Sequence, residues 1–218
     1  MKKLLRITLV CMALLLAACS TPESQEQPDY FRDIVTSLFE NTHEVHVYDT
    51  AGMEITDRFI TDCQEAYDNG DWEWIRERFD GSLERVSEVE VQTLAEEAVT
   101  PSPAAEGEEI QSASRIFEKW GAVDGAEGYC RFRVTGIYLY HRDLDTIRET
   151  VSVDCAVEER AAYTGGRPGS SKVSGFQNSG WTEGKTAYFS AAFDMELCSE
   201  GLSEPRLWKV TGLFSVPV

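Results

Sequence analysis

The chain has 218 residues, of which 20 are basic and 38 acidic, for a formal net charge of −18. So negative a polypeptide repels nucleic-acid phosphates and anionic lipid headgroups, which excludes both as partners of its surface. Five tryptophans and ten phenylalanines exclude a wholly disordered chain.

Residues 1–18 read as a targeting segment. Lys2, Lys3 and Arg6 form a positive region ahead of the apolar run Ile7 to Leu16. That run is shorter than the roughly 20 residues needed to span a bilayer as a helix, so a cleaved signal is expected. Leu16-Ala17-Ala18-Cys19 resembles the lipobox of bacterial lipoproteins, where the peptide is cut before a cysteine that then carries a diacylglyceryl group. The resemblance implies lipidation at Cys19 and an extracytoplasmic protein anchored to a membrane of the cell envelope. The alternative is an ordinary signal peptide cleaved after Ala18. Residues 19–29, polar and containing two prolines, read as a disordered tether.

Cleavage before Cys19 takes away three basic residues and no acid, so 17 basic residues then face 38 acidic ones. The 200 residues left suffice for one medium domain. Tyr30 to Glu40 has helical apolar spacing, His43 to Tyr48 alternates like a short strand, and Thr50-Ala51-Gly52 reads as a turn. Thr56 or Asp57 is expected to cap a second helix, with Phe59, Ile60, Cys63, Ala66 and Tyr67 on one face, ended by Asn69-Gly70. Asp71 caps a third helix through Trp74, Ile75 and Phe79. Helical character is expected to resume from Leu83 to Val99 and again from Ser114 to Trp120, around an acidic loop at residues 100–109.

The second half changes period to two. Cys130, Phe132 and Val134 alternate with polar residues, as do Ile147, Val151, Val153, Cys155 and Val157. So do the apolar positions from Ala187 to Leu197, and those from Trp208 to Val216. Four strands with one apolar face each argue for an antiparallel sheet covered on that face. With the helices as cover, the expected fold class is α+β: N-terminal helices packed on a curved, mostly antiparallel sheet of four or more strands.

Four cysteines besides Cys19 lie in the folded part, and an even number in an exported domain suits disulfides. A hairpin turning at Arg142 to Asp145 sets His141 opposite Thr146 and Cys130 opposite Val157, diagonal to Cys155. This favours a Cys130–Cys155 bridge and leaves Cys63 with Cys198. A bulge near Gly136 would alter that register, and four free thiols are the alternative. With no C-x-x-C, neither a zinc ribbon nor a dithiol redox pair is indicated.

Two stretches resemble the NTF2-like (SnoaL-like) superfamily. CQEAYDNGDWEWIRERF, Cys63 to Phe79, looks like that superfamily's first helix pair, and RLWKVTGLF, Arg206 to Phe214, like its last strand. The resemblance covers residues 54–218, leaves 30–53 as an N-terminal extension, and implies a cone-shaped cavity between sheet and helices. It implies no particular chemistry, because one fold hosts enzymes, carriers and interaction modules alike.

Catalytic signals are sparse. His43 and His46 have the spacing of metal ligands on a helix, but on a strand that spacing sends neighbours to different places and no carboxylate or thiol cluster accompanies them. His141 sits beside the expected hairpin turn. Asp68-Asn69-Gly70-Asp71 lacks the alternating ligands of a calcium loop and is explained by helix capping. No nucleophile elbow, phosphate loop or H-E-x-x-H occurs, so no catalytic residue, metal or cofactor is assigned. The Gly/Ser-rich stretch Gly165 to Gly180 reads as a loop, with Arg167, Lys172, Phe176 and the adjoining Trp181 as candidate ligand-binding residues. The expected function is a non-catalytic surface module binding a partner protein, such as an envelope protein, or another cell-envelope component. The alternatives are a carrier or sensor of a small apolar ligand in the cone, and an enzyme with an acid/base pair there.

Overall fold

The computed structural model describes residues 28–94, 107–198 and 202–218. The lipobox, Cys19, the tether to residue 27 and most of the acidic loop lie outside the described residues.

The chain is mostly β. Among the described residues three helices, α1 (Tyr30–Phe39), α2 (Thr56–Asp68) and α3 (Trp72–Arg78), accompany ten strands. These are β1 (Glu44–Tyr48), β2 (Ser82–Val86), β3 (Glu90–Thr93), β4 (Glu108–Val123), β5 (Ala126–His141), β6 (Thr146–Thr164), β7 (Arg167–Pro168), β8 (Ser170–Glu183), β9 (Thr186–Cys198) and β10 (Arg206–Pro217). A seven-stranded sheet runs β1-β2-β4-β5-β6-β7, with β3 also on β4, and a three-stranded sheet runs β10-β9-β8; all pairings are antiparallel.

α1 and α3 start where sequence chemistry calls for them, whereas at α2 the cap position expected at Thr56 or Asp57 falls to Ile55, which has no capping side chain. Asp71 accepts from the Trp74 amide at the start of α3, and Asp29 does the same for Arg32 at the start of α1. Gly70 takes φ +70° just beyond α2, the left-handed position that ends a helix cheaply only with glycine. The segment 30–53 belongs to the same core: Phe31, Ile34 and Val35 of α1 and Val45 and Val47 of β1 pack with Phe59, Ile75, Leu83, Trp120 and Tyr129.

The expected α+β fold class, helices on a sheet enclosing a cone, is corrected. The apolar faces of β5, β9 and β10 point inward as expected, but their cover is a second sheet. Phe132 and Val134 of β5 face Phe189, Phe193 and Met195 of β9 and Val210 and Phe214 of β10 in one buried cluster. The helices cover a smaller patch on the opposite face of the large sheet, centred on Leu83, Trp120 and Tyr129. Two sheets packed face to face bury their apolar sides as a sandwich.

The two stretches expected to be helical are also corrected. Leu83 and Val86 have helical spacing, yet Leu83 points to the helix-side core and Val86 to the inter-sheet core from one strand. On β4 the buried residues Ala113, Phe117 and Trp120 recur at three and four because that strand is covered on both faces. A doubly covered strand can therefore mimic a helix period.

At one corner the sheets are joined by the chain itself. The β6–β7 turn uses Gly165 and Gly166 at φ +56° and +73°, Gly169 N–H donates to Ala162 O, and the chain passes into β8. Arg160 Nε donates to Ser171 O at 3.2 Å across that corner. On the other side β10 lies over β4 and β5: Trp208 covers Gly121 and Gly128, and Gly212 sits against Phe117 and Phe132.

Candidate interaction surface

The expected cone is filled. Phe117, Phe132, Phe189, Phe193 and Phe214 are buried between the sheets. Phe132 and Phe193 meet edge to face at 5.2 Å, and Phe117 stacks on Phe132 at 5.2 Å. A Cβ added to Gly136 would lie 2.1 Å from the Phe189 ring, so the layers interlock ring into glycine. An apolar ligand finds no room among these rings.

The stretch read as a loop from Gly165 to Gly180 is largely strand β8, a further correction. It looks like a loop because it is an edge strand whose exposed side chains are small and polar. Two glycines in it are required by position. Gly175, at φ +67°, makes the bulge between Ser174 and Gln177, and a Cβ on Gly180 would press 2.9 Å from Val153 of β6.

Of the four candidate residues, Lys172 and Trp181 share the outer face of the small sheet. Phe176 sits in the bulge with its ring 5.1 Å from buried Phe193, and Arg167 lies apart on β7. Around Trp181 the register builds a continuous three-strand surface. Trp181 pairs with Tyr188 and Tyr188 with Ser215; Ser179 pairs with Ser190 and Ser190 with Leu213; Gln177 pairs with Ala192 and Ala192 with Thr211. Trp181 and Tyr188 stack at 5.2 Å with planes 7° apart, and the Ser179 and Ser190 hydroxyls lie 2.8 Å apart. Lys172, Glu196, Lys209 and Asp194 close one end, two charges of each sign. Glu183 adds one acid at the other end, so on a chain of net charge −18 this face is close to neutral, with three acids against two lysines.

Trp181, Leu207 and Leu213 are 42%, 60% and 56% exposed on this face. With Phe176 at its bulge they make up four of the eight large apolar side chains exposed among the described residues. Tyr188, Leu207 and Leu213 were missed from the sequence. The signal was present: Leu207 and Leu213 fall on the polar parity of an otherwise strictly alternating strand, where burial gives no reason for leucine.

A groove of about 390 Å³ lies between α2 and α3 on a floor of Ile55, Phe59, Cys63, Ile75 and Phe79. Its rim carries Arg58, Arg78, Asp49, Asp62 and Asp80, with the Arg78 guanidinium 4.2 Å from the Trp74 ring. Mixed charges at the rim give it little power to select an ionic ligand.

His43 bonds to Thr42 outside β1, whereas His46 lies between two carboxylates, so the structure does not bring the two histidines to one ligand. Among the described residues no group of three or more His, Cys, Asp and Glu is placed to hold a metal ion.

Cys63, Cys130, Cys155 and Cys198 are free thiols. The β5–β6 hairpin turns as expected, with His141 opposite Thr146, but three register shifts accumulate along it. Cys130 therefore faces Arg160 and Cys155 faces Val134, which removes the diagonal on which the Cys130–Cys155 bridge was argued. Cys63 packs in the helix-side core while Cys198 ends β9 in the small sheet. Burial pushes the Cys130 thiol up to about 12 and the Cys155 thiol to about 11.

No protein-family model, no curated protein and no solved structure matches the chain.

Proposed function

We propose that this chain is a lipid-anchored extracytoplasmic binding module, without catalysis of its own, that engages an envelope protein through the outer face of β8–β9–β10. The observation that carries this reading is the exposure of Trp181 beside Tyr188 and Leu213, with Leu207 at the charged end, on one nearly neutral face of an acidic protein. An aromatic and aliphatic centre ringed by Ser, Thr and Gln is the composition of a protein-binding patch. The filled inter-sheet core speaks against a carrier working from a cone. Cys19 and the polar residues after it supply the membrane anchor and its reach.

Two measurements test it in the native host. Labelled fatty acid is expected to enter the wild-type protein and not Cys19→Ser, which leaves the membrane fraction. A photo-crosslinking residue at Gln177 or Ser190 is expected to give a discrete protein adduct. The same residue at Glu149, exposed on β6, gives none. Trp181→Ala removes the adduct without moving the thermal unfolding midpoint. Equal adducts from both faces, or none from either, would overturn the proposed surface.

A further inference from the structure

His46 occupies an unusual position for a surface histidine. β1 turns Val45 and Val47 into the helix-side core, so His46 projects from the other face of the large sheet. β10 lies over β4 and β5, so no second-sheet strand among the described residues pairs over β1. The His46 Nδ1 is 3.0 Å from Glu54 Oε1 and its Nε2 is 3.0 Å from Glu44 Oε1. Ionised carboxylates only accept hydrogen bonds, and a neutral imidazole has one N–H to give. Both contacts are made together only by the imidazolium.

The charges around the ring agree. Glu84 of β2 is the cross-strand neighbour of His46 and is paired with Lys119 of β4. Glu44 is paired with Arg115 of β4, and Tyr48 stands 6.3 Å away along β1. From the first turn of α2, Asp57 and Arg58 line the same depression. Arg58 is itself paired with Asp62, so Glu44, Glu54, Glu84 and Asp57 face only Arg115 and Lys119, an excess of acid that favours the protonated ring.

Glu54 connects this cluster to α2. Its Oε1 accepts from Thr56 Oγ1, which in turn accepts from the Val47 amide, and Ile55 N–H donates to Val47 O at 2.7 Å. The first residues of α2 have no side-chain cap, since Ile55 stands at that position. This fastening to β1 does the work a cap would do.

We infer that Glu44, His46 and Glu54 form a proton-operated clasp that holds the start of α2 against β1 in acid and loosens it as pH rises. The inference is independent of the partner-binding surface. Its consequence falls on the α2–α3 groove, because Ile55, Arg58 and Phe59, carried by the clasped segment, line that groove. Partial burial works against the charged ring, yet the hydrogen bonds to Glu54 and Glu44 hold its pKa above the ordinary imidazole value. A raised folded-state value means the contribution is full below the ordinary imidazole range and is lost as pH rises through the raised value.

The test uses the folded protein, with amide exchange at residues 55–60 corrected for intrinsic rates and Cys63 labelling by a neutral maleimide. Protection at residues 55–60 is expected to fall several-fold across the His46 titration followed by NMR. A pKa difference of one unit corresponds to about tenfold. At pH 6, His46→Gln and Glu54→Gln are each expected to lower protection and raise the Cys63 labelling rate several-fold over wild type. His43→Gln, on a residue outside the clasp, is expected to leave both unchanged. The clasp is overturned if His46 titrates at or below the free imidazole value. It is equally overturned if protection at 55–60 has the same pH profile in His46→Gln as in wild type.

Discussion

The Phe189 ring of β9 occupies the space that a side chain on Gly136 of β5 would need, with the missing Cβ only 2.1 Å from the ring. The ring cannot retreat easily, because it also packs on Tyr138 at 5.9 Å and Phe214 at 5.3 Å. Gly136→Ala is therefore expected to destabilise by about 1–3 kcal/mol through overpacking. Pairing it with Phe189→Leu recovers part of the loss, since the shorter side chain vacates the site. Urea unfolding midpoints of the two single variants and the double variant measure the coupling. Additive losses would show that the two residues do not compete for one volume.

A second prediction concerns the Arg85 guanidinium, which ties three elements together. It lies 2.5 Å from Glu118 on β4, 2.9 Å from Asp33 and 2.7 Å from Ser37 Oγ on α1, while Tyr129 Oη donates to Glu118 at 3.1 Å. The Arg85 and Glu118 side chains are only 14% and 13% exposed. Arg85→Met takes away the nearest cation of Glu118, leaving Arg131 at 3.4 Å and the Tyr129 hydroxyl, and is expected to cost about 2 kcal/mol. Arg85→Met with Glu118→Leu removes both charges and is expected to cost less than Arg85→Met alone. A double variant no more stable than the single one would mean that packing, not the carboxylate's lost cation, sets the loss.

The thiols make a third prediction. Alkylation under denaturing conditions without reductant, followed by peptide mapping, is expected to find Cys63, Cys130, Cys155 and Cys198 all reduced. In the native protein at pH 8, Cys130 is expected to react last, because its burial both blocks access and holds the thiol protonated. A bridged peptide joining Cys130 to Cys155 would require the hairpin register to slip.

These residues also show what the sequence could convey. Periodicity identified the inward positions of β5, β9 and β10, and capping chemistry located the start of α3 and the Asn69-Gly70 end of α2, because those signals are local. Whether a helix or a sheet covers an apolar face is not local, and the two layers demand the same alternation. β4 was hidden by being covered twice, and β8 by the glycines and serines that an edge strand passing close to β6 needs. Bulges were the third obstacle. They turn Val151 outward, 37% exposed, and shift Cys155 away from Cys130, although the hairpin turn itself was read correctly. Of the candidate surface, Lys172 and Trp181 were legible as unusual residues in a polar stretch. Their grouping with Leu207 and Leu213 depends on strand order, which composition does not encode.

The uncovered part of the large sheet supplies a last prediction, in acid. Glu158 on β6 accepts from Arg131 Nε and Arg133 Nε of β5, each at 3.1 Å, and Arg131 also reaches Glu118. Partial desolvation raises the Glu158 pKa, but the two guanidinium hydrogen bonds outweigh it and hold the carboxyl below the usual glutamate range. A depressed folded-state pKa gives stability that is present above the usual glutamate range and is lost as pH falls through the lowered value. The Glu158 carboxyl, followed by NMR, is expected to titrate below a free glutamate, and Arg133→Met to move it back upward. At neutral pH that substitution should lower stability only slightly, because solvent screens the pair. The gap between variant and wild type is expected to close as the pH is lowered. A gap that stayed constant from pH 7 to pH 3 would assign the role of Arg133 to packing on the sheet rather than to its charge.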